Sequence, residues 1–265
     1  MFGVINRSIK YTSKTLHARI IKHLENNQFL VDVFVFNLIS DNCIVDGTNV
    51  NNNDYKMIEA KYYESKLQSE LDNEIEAYVS SKSYKITYVP WYTDNQIHNT
   101  MRQMYSEWRV GKFLEKQQNK YDYAIVCGPD YYLTQNVNIN DLSNSKFDES
   151  IYISEVNPGM DGYTNGYYMS HNLTNLIILL CRYENILPYL NGFKGDYEQL
   201  LKKYCDSKKI KTSITDQVFF KIRANKTIFW QGFNKKHKSD PHNINEYNTV
   251  MKRYNLKPQT VFERR

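Results

Sequence analysis

The amino-acid sequence predicts a single α/β domain whose mixed, mostly parallel sheet is flanked by helices. Three observations support this class. Apolar, strand-like segments alternate with helical patterns along the chain. A chain of 265 residues lies within the length that α/β folds reach without dividing. Hydrophobic residues make up 41% of the chain and charged residues 24%, a balance typical of globular proteins rather than disordered ones.

The first three elements follow the pattern of a βαβ unit. A short apolar segment covers residues 2–6, and the apolar positions 16, 20, 21 and 24 then follow helical spacing. Residues 29–39 are almost continuously apolar, as in a strand buried on both faces. Strand, helix and strand in this order predict parallel pairing with a right-handed crossover.

The rest of the chain continues this alternation. The Asn-rich residues 41–54 are predicted as a loop, and the clearest strand, residues 123–127, stops at Gly128-Pro129-Asp130. Hydrophobic spacing and capping signals also predict the following elements. These are helices at 57–80 and 97–118, strands at 84–89, 151–156 and 167–170, and helices at 173–190, 197–205, 215–224 and 246–254.

Charge and cysteine content narrow the choice of ligand and compartment. The formal charge of +5 favours an anionic ligand, and nucleotide phosphates suit it as well as nucleic acid does. The basic residues are spread along the chain, which argues against a nucleic-acid partner. The four cysteines lack metal-ligand or disulfide spacing, and the first residues lack a basic leader with an apolar segment. We therefore expect a cytoplasmic protein without a membrane span. The chain is rich in Asn, Lys and Ile, whose codons are AT-rich, and if this reflects the genome of a virus the expected location is the host cytoplasm.

Asp130 is the first candidate site residue. It directly follows a predicted buried strand, and open α/β sheets bind ligands at the carboxyl ends of their strands. A divalent cation that bridges two phosphates needs an oxygen ligand at such a position. The alternative is an Asp that caps the following turn, because Pro-Asp is common in turns. Both interpretations are open at this point.

Residues 121–133 resemble the strand and acidic segment of GT-A type glycosyltransferases, where small enzymes read Tyr-Asp-x-x-apolar-x-x-x-Pro-Asp-Leu. The opening segment with its helix and Asp32-Val-Phe-Val is similar to the start of that group, and Thr215-Asp-Gln-Val-Phe-Phe is similar to its Asp-Gln segment. The resemblance follows the order of elements over residues 1–235. It implies a Rossmann-like, nucleotide-diphospho-sugar transferase-like fold. It also implies transfer of a sugar from a nucleotide-sugar donor, with a UDP-sugar expected, to a glycan or protein acceptor.

The resemblance also implies roles for individual residues. Arg7 would approach the donor nucleotide, and Asp130 would bind Mn²⁺ or Mg²⁺ or else a ribose or sugar hydroxyl. Tyr131 and Tyr132 follow Asp130, so the second carboxylate of the Asp-x-Asp pattern is missing and the cation is less well supported. Residues 1–133 would bind the donor nucleotide, and residues 134–265 would hold the sugar and the acceptor.

Six further residues are candidates for the same chemistry. Asp216 with Gln217 would reach sugar hydroxyls, or Asp216 would only stabilise a helix start. Asp161, in a Gly-rich loop, would be a catalytic base or an Asx-turn residue. Arg102 would contact a phosphate or solvate a helix face. His237 and His242 would complete a cation site or lie in an exposed polar loop.

Two other function classes are kept as alternatives. One is a catalytically inactive structural relative of a GT-A type transferase, in which Asp130 marks a lost metal site. The other is a basic nucleic-acid-binding protein that stacks bases on some of its 23 tyrosines. The sequence has no phosphate-binding Gly-rich loop and no Gly-x-Ser-x-Gly motif, which disfavours kinases, dehydrogenases and serine hydrolases.

Overall fold

Helices and strands alternate along the chain in the computed structural model, which describes residues 1–81, 94–155, 162–191, 193, 195–231 and 239–258. This alternation confirms the predicted α/β class. The strands are β1 (Phe2–Gly3), β2 (Phe34–Ile39), β3 (Ile44–Val45), β4 (Thr48–Asn49), β5 (Tyr62–Leu67), β6 (Ala124–Cys127), β7 (Tyr131–Leu133), β8 (Ile151–Glu155), β9 (Tyr163–Ser170), β10 (Thr212–Thr215), β11 (Phe219–Ile222), β12 (Thr227–Gln231) and β13 (Lys257–Pro258). The helices are α1 (Ile9–Leu16), α2 (Lys22–Asn26), α3 (Gln68–Ser80), α4 (Asp94–Lys116), α5 (Ile139–Asp148), α6 (Leu173–Leu180), α7 (Leu187–Leu190), α8 (Tyr197–Ser207) and α9 (Pro241–Tyr254).

The first sheet has the order β1-β2-β5 and is parallel throughout. Phe2 pairs with Phe36 and Phe34 pairs with Tyr62. A π-helical turn, His17–Ile21, joins α1 to α2, so one long helix crosses from β1 to β2. The predicted βαβ unit is therefore confirmed, although its helix begins at Ile9 rather than at residue 15.

The second sheet has the order β10-β8-β9-β6 and mixes both directions. Strand β8 is parallel to β10, whereas β9 is antiparallel to β8 and to β6. Only seven residues separate β8 from β9, and a parallel crossover needs about a dozen or more. The prediction of a mostly parallel sheet therefore holds for the first sheet and not for the second.

The third sheet, β13-β12-β11-β7, corrects the helix predicted at 215–224. Strand β11 pairs antiparallel with both β7 and β12, and all four of its residues are buried. Aromatic and β-branched residues at these positions favour a strand that packs on both sides. Thr215, which the sequence suggested as a helix cap, instead donates a hydrogen bond to Asp141.

The helix predicted at 57–80 is wrong in its first part. Residues Tyr62–Leu67 form strand β5, in which half-buried and exposed side chains alternate, and the helix begins only at Gln68. Charged residues in this edge strand obscured its two-residue period. The helix predicted at 173–190 divides into α6, a 3-10 segment (Cys181–Asn185) and α7, which has Pro188 in its first turn. The strand predicted at 84–89 lies outside the described residues.

The core joins these sheets to the helices. One apolar cluster brings α4, α6 and α8 against β2, β6 and β8, and a second brings α1 and α5 against β7 and β9. Helix α4 contacts α6 and strands β1 and β2, so it is the central helix of the first cluster. Among the described residues, no helix is long and apolar enough to cross a membrane.

Candidate functional site

Asp130 lies between β6 and β7, where the chain leaves the second sheet and enters the third. The Thr12 hydroxyl donates to the Pro129 carbonyl at 2.6 Å, and the Ile222 amide donates to the Asp130 carbonyl at 2.9 Å. The residue is 7% exposed. Helix α1 and strand β11 therefore hold the backbone on both sides of this carboxylate.

Arg223 contacts the Asp130 side chain directly. Its Nη1 lies 3.0 Å from Asp130 Oδ2. The contact depends on the pairing of β11 with β7, in which Lys221 lies opposite Tyr131. Because alternate residues of an extended segment face the same side, Lys221 and Arg223 are directed to the same side of the two-stranded ribbon formed by β7 and β11.

Lys221 is a buried cation in the same region. It is 8% exposed, and its Nζ lies 5.1 Å from the centre of the Tyr131 ring. Burial lowers the pKa of Lys221 to about 8; the charge of Asp130 opposes this effect, and the charge of Arg223 adds to it. No described residue accepts a hydrogen bond from this ammonium group. An ammonium has three donors, and here all three are left to solvent or to a ligand.

Arg7 completes the group from the carboxyl end of β1. Its Nε lies 3.2 Å from Asp46 Oδ2, in the turn that follows β3. Burial and the charge of Arg223 lower the pKa of Arg7, whereas Asp46 and Asp130 raise it. The structure thus brings the two residues predicted for the nucleotide, Arg7 and Asp130, into one electrostatic environment.

We call this group the basic cluster. It has three cations and two carboxylates, and so one net positive charge: Arg7, Lys221, Arg223, Asp46 and Asp130. Glu198, in the first turn of α8, also acts on the charge of Lys221. The cluster lies where β1, β2 and β6 end, which is the edge at which α/β sheets bind ligands.

Two buried asparagines on the same edge have unpaired polar atoms. Asn6 donates to Asn52 Oδ1 at 2.7 Å, and Asn37 accepts from the Ile5 amide at 3.3 Å. Asn6 Oδ1 and Asn37 Nδ2 have no hydrogen-bond partner among the described residues, and both residues are 1% exposed. Buried polar groups are normally satisfied, so a polar ligand or water is the expected partner.

Asp216 and Gln217 lie at the other end of the β7–β11 ribbon. Gln135 donates to the Asp216 carbonyl at 2.9 Å, and Gln217 donates to the Gln135 carbonyl at 3.3 Å. Strand β7 lies between Asp130 and Gln135, and its three residues alone span roughly 10 Å. The structure therefore does not bring this pair together with Asp130. The Asp216 side chain is exposed, and Gln217 Oε1 is buried without a described partner.

His242 lies near this same far end. Its Nε2 is 3.5 Å from the Thr134 carbonyl, and its amide donates to Asp240, the N-cap of α9. Arg102 has a different partner. Its Nε and Nη2 each lie 2.6 Å from the Asp72 carboxylate, so it joins α4 to α3. Asp161 and His237 lie outside the described residues.

The described side chains next to Asp130 include two cations, Lys221 and Arg223, whose charge disfavours a divalent cation at this carboxylate. Mg²⁺ is usually held by one or two carboxylates together with waters and substrate phosphate oxygens. Among the described residues there is no group of three or more His, Cys, Asp or Glu side chains that could hold a metal. One oxygen of Asp130 already contacts Arg223, and His242 lies near the Thr134 carbonyl, at the other end of β7. The charge next to Asp130 comes from cationic side chains.

Sequence reasoning missed Lys221, Arg223 and Asp46. The segment Phe219-Phe-Lys-Ile-Arg223 carries the relevant signal, since its basic residues alternate with apolar ones as in a strand. The helix prediction for 215–224 hid that alternation. Asp46 lies in a region predicted as an irregular loop, and nothing in its local pattern pairs it with Arg7.

A cavity of about 980 Å³ lies away from the basic cluster. Its walls include the segments that precede β2 and β6 and all four residues of β6. Apolar side chains of α1, α2 and α4 line much of it, among them Leu16, Leu24 and Phe113. No residue of the basic cluster is among those that line the cavity.

Comparison of the sequence with protein-family models gives no match, and comparison with curated proteins also gives none.

Proposed function

We propose that this protein is a glycosyltransferase that uses a nucleotide-sugar donor, and that the basic cluster binds the donor diphosphate. The observation that carries the proposal is the convergence of Arg7, Lys221 and Arg223 on Asp130 at the carboxyl ends of β1 and β6. Guanidinium and ammonium groups bind phosphate oxygens through charge-assisted hydrogen bonds. The position is the usual ligand-binding edge of an α/β sheet.

This arrangement suits the chemistry of sugar transfer. The bond from the sugar to the diphosphate breaks, and negative charge develops on the leaving nucleoside diphosphate. Fixed cations that face this charge stabilise the transition state more than the ground state. Partial burial of the cluster strengthens the effect, because the local dielectric constant is below that of water.

Asp130 has a separate role in the proposal. Its Oδ2 contacts Arg223, and its Oδ1 has no hydrogen-bond partner among the described residues. We assign Oδ1 to a hydroxyl group of the donor sugar or ribose. Asn6 and Asn37 lie nearer the end of β2, and their unpaired amide atoms suit the polar edges of a nucleoside. UDP is the first nucleotide to test, because the resemblance around Asp130 favours it.

An acceptor hydroxyl must lose a proton during transfer, so a carboxylate base is needed if the reaction inverts the anomeric centre. Glu198 is the described carboxylate we assign to this step. It is half-buried, it influences the charge of Lys221, and its Oε1 accepts from Asn165 at 3.3 Å. Asp216 faces solvent at the far end of the ribbon, which makes it a weaker choice.

The first experiment is a thermal-shift screen with UDP, GDP, CMP and their common sugars. A ligand that binds only the folded state raises the melting temperature by mass action. We expect one nucleotide and its sugar to stabilise the protein, and Arg223→Met to remove that shift. Arg253→Met, which removes an exposed arginine from α9, is the matched control and should keep it.

Two follow-up measurements separate the competing functions. Slow hydrolysis of the stabilising nucleotide sugar without acceptor would support an active transferase, and its absence with intact binding would favour an inactive relative. A gel shift that weakens steeply with salt, without any nucleotide effect, would instead support a nucleic-acid binder. No stabilisation by any nucleotide or sugar nucleotide contradicts the transferase proposal.

A further inference from the structure

We propose that Lys221 supplies the positive charge that a divalent cation would otherwise bring to the donor diphosphate, so that this site binds diphosphate without metal. The inference rests on the proposed function, because it assigns the chemistry of the same site. Its starting point is the placement of one buried, unpaired ammonium group among two arginines that are already paired.

The two arginines of the basic cluster each have a carboxylate partner. Arg223 contacts Asp130 at 3.0 Å, and Arg7 contacts Asp46 at 3.2 Å. Lys221 has no ion-pair or hydrogen-bond partner among the described residues. It is therefore the cation that carries the net positive charge of the cluster.

The position of Lys221 is fixed by the fold. Its backbone lies in β11 between β7 and β12, and its Nζ is held 5.1 Å from the Tyr131 ring. The ring attracts the ammonium group electrostatically, but it provides no oxygen or nitrogen atom that could accept a hydrogen bond from it. Burial of an unpaired charge is costly, and buried charges are normally paired or bound to a ligand. An anionic ligand would satisfy all three donors.

The same geometry opposes a metal at this point. A divalent cation close to Asp130 would lie among Arg7, Lys221 and Arg223 and would be repelled by each. A diphosphate reverses the sign of these interactions, since every cation then faces negative oxygens. The charge of Glu198 also acts on Lys221, so a ligand bound to Lys221 would lie near Glu198.

The test is calorimetric titration of the full chain with UDP and, separately, with inorganic pyrophosphate. Each titration is done in EDTA, in Mg²⁺ and in Mn²⁺. We expect the dissociation constant for UDP to change by less than about threefold between EDTA and either metal, since no metal site has to be filled. Pyrophosphate should bind in EDTA as well.

Three variants connect this behaviour to Lys221. Lys221→Met should weaken both ligands by at least about tenfold, as expected for loss of a buried charge-assisted contact. Lys221→Arg keeps the charge and should recover part of the affinity. Lys252→Met removes an exposed lysine from α9 and should bind as the unchanged protein does. Circular dichroism confirms folding, and Lys221→Met removes a buried charge, so we expect it to fold.

The outcomes separate this inference from the proposed function. Binding of UDP only with Mg²⁺ or Mn²⁺, or unchanged affinity in Lys221→Met, overturns the inference and leaves the transferase proposal standing. Binding of pyrophosphate in EDTA without any nucleotide binding supports the inference and overturns the nucleotide assignment. Absence of binding by both ligands in every buffer overturns both.

Discussion

Glu107 and Arg182 form an ion pair in which both side chains are completely shielded from solvent. The pair joins α4 to the 3-10 segment that follows α6. Gln103 and Tyr168 donate to the Glu107 carboxylate, and Arg182 also donates to the Tyr197 hydroxyl. Burial acts to lower the pKa of Arg182, but Glu107 and the neighbouring tyrosines raise it overall, so the guanidinium stays charged. The pair is a structural anchor of the first core cluster.

Breaking this pair should destabilise the fold strongly. Arg182→Met leaves the Glu107 carboxylate buried without its cation, which should lower the free energy of unfolding by about 3–5 kcal/mol. Urea denaturation measures the change. The double variant Arg182→Met/Glu107→Leu should recover much of the loss, since no charge is then stranded. A double variant as unstable as the sum of the two single variants would contradict this explanation.

Asp130→Asn should separate the two roles assigned to this carboxylate. The variant removes one negative charge from the basic cluster, so inorganic pyrophosphate should bind as tightly as before or more tightly. The stabilising nucleotide sugar should bind about tenfold more weakly relative to pyrophosphate, because a hydrogen bond from its hydroxyl to a charged oxygen is lost. Titration calorimetry compares the two ligands. Equal weakening of both would show that Asp130 acts only by positioning Arg223.

The charge of Lys221 should make folding stability depend on pH. Its pKa is about 8 in the folded chain, against the ordinary lysine value of 10.5. Between these values the unfolded chain keeps the proton that the folded chain loses, so stability without ligand rises with pH, by at most about 3 kcal/mol. Urea unfolding from pH 7 to pH 10 measures it. Lys221→Met should be the more stable form at pH 7, and the gap should narrow towards pH 10; a constant gap would argue against this pKa.

Gly111 shows a case where helix propensity and packing have opposite effects. An exposed helical Gly→Ala change usually stabilises by roughly 0.5–1 kcal/mol. A Cβ at Gly111 would lie 2.8 Å from Cys181 Sγ and 2.9 Å from Leu180 Cβ. We therefore expect Gly111→Ala to destabilise by about 1–3 kcal/mol through overpacking of α4 against α6. Thermal unfolding tests the sign, and adding Cys181→Ala should relieve part of the loss.

Glu198→Gln tests the proposed base without altering shape. Donor binding should change by less than about threefold, whereas transfer to an acceptor should fall by about 10²–10⁴, the range typical of a lost general base. Asp216→Asn is the matched control, because Asp216 is an exposed carboxylate at the far end of the ribbon. Equal loss of transfer in both variants would move the base away from Glu198.

Sequence reasoning succeeded where local pattern and tertiary environment agree. Strand β2 is buried on both faces and has the continuous apolar pattern such a strand needs, and the length and spacing of α4 predicted a long helix. Strands β5 and β11 were missed. Both contain charged residues, which obscured the two-residue period of β5, and the helix predicted over 215–224 hid the alternation of basic and apolar residues in β11.

The candidate site was predicted only in the part that depends on local sequence. Asp130 and Arg7 each follow a strand, and that position alone suggested them. Lys221 and Arg223 approach Asp130 because β11 pairs with β7 across nearly ninety residues of chain. Such a pairing has no signature in either segment. His242 and Asp216 were also candidates from the sequence, and the same ribbon places them at its other end.

Because Lys221 pairs with Tyr131, the number of residues between β10 and β11 is as important to this site as the identity of its side chains. Neighbouring residues of a strand face opposite sides, so a one-residue slip of β11 would turn Lys221 away and present Phe220 or Ile222 in its place. A single-residue insertion or deletion in the short connection between β10 and β11 could therefore abolish the positive site while leaving every charged residue in the sequence. Homologues that share the chemistry should conserve the length of that connection more strictly than its composition.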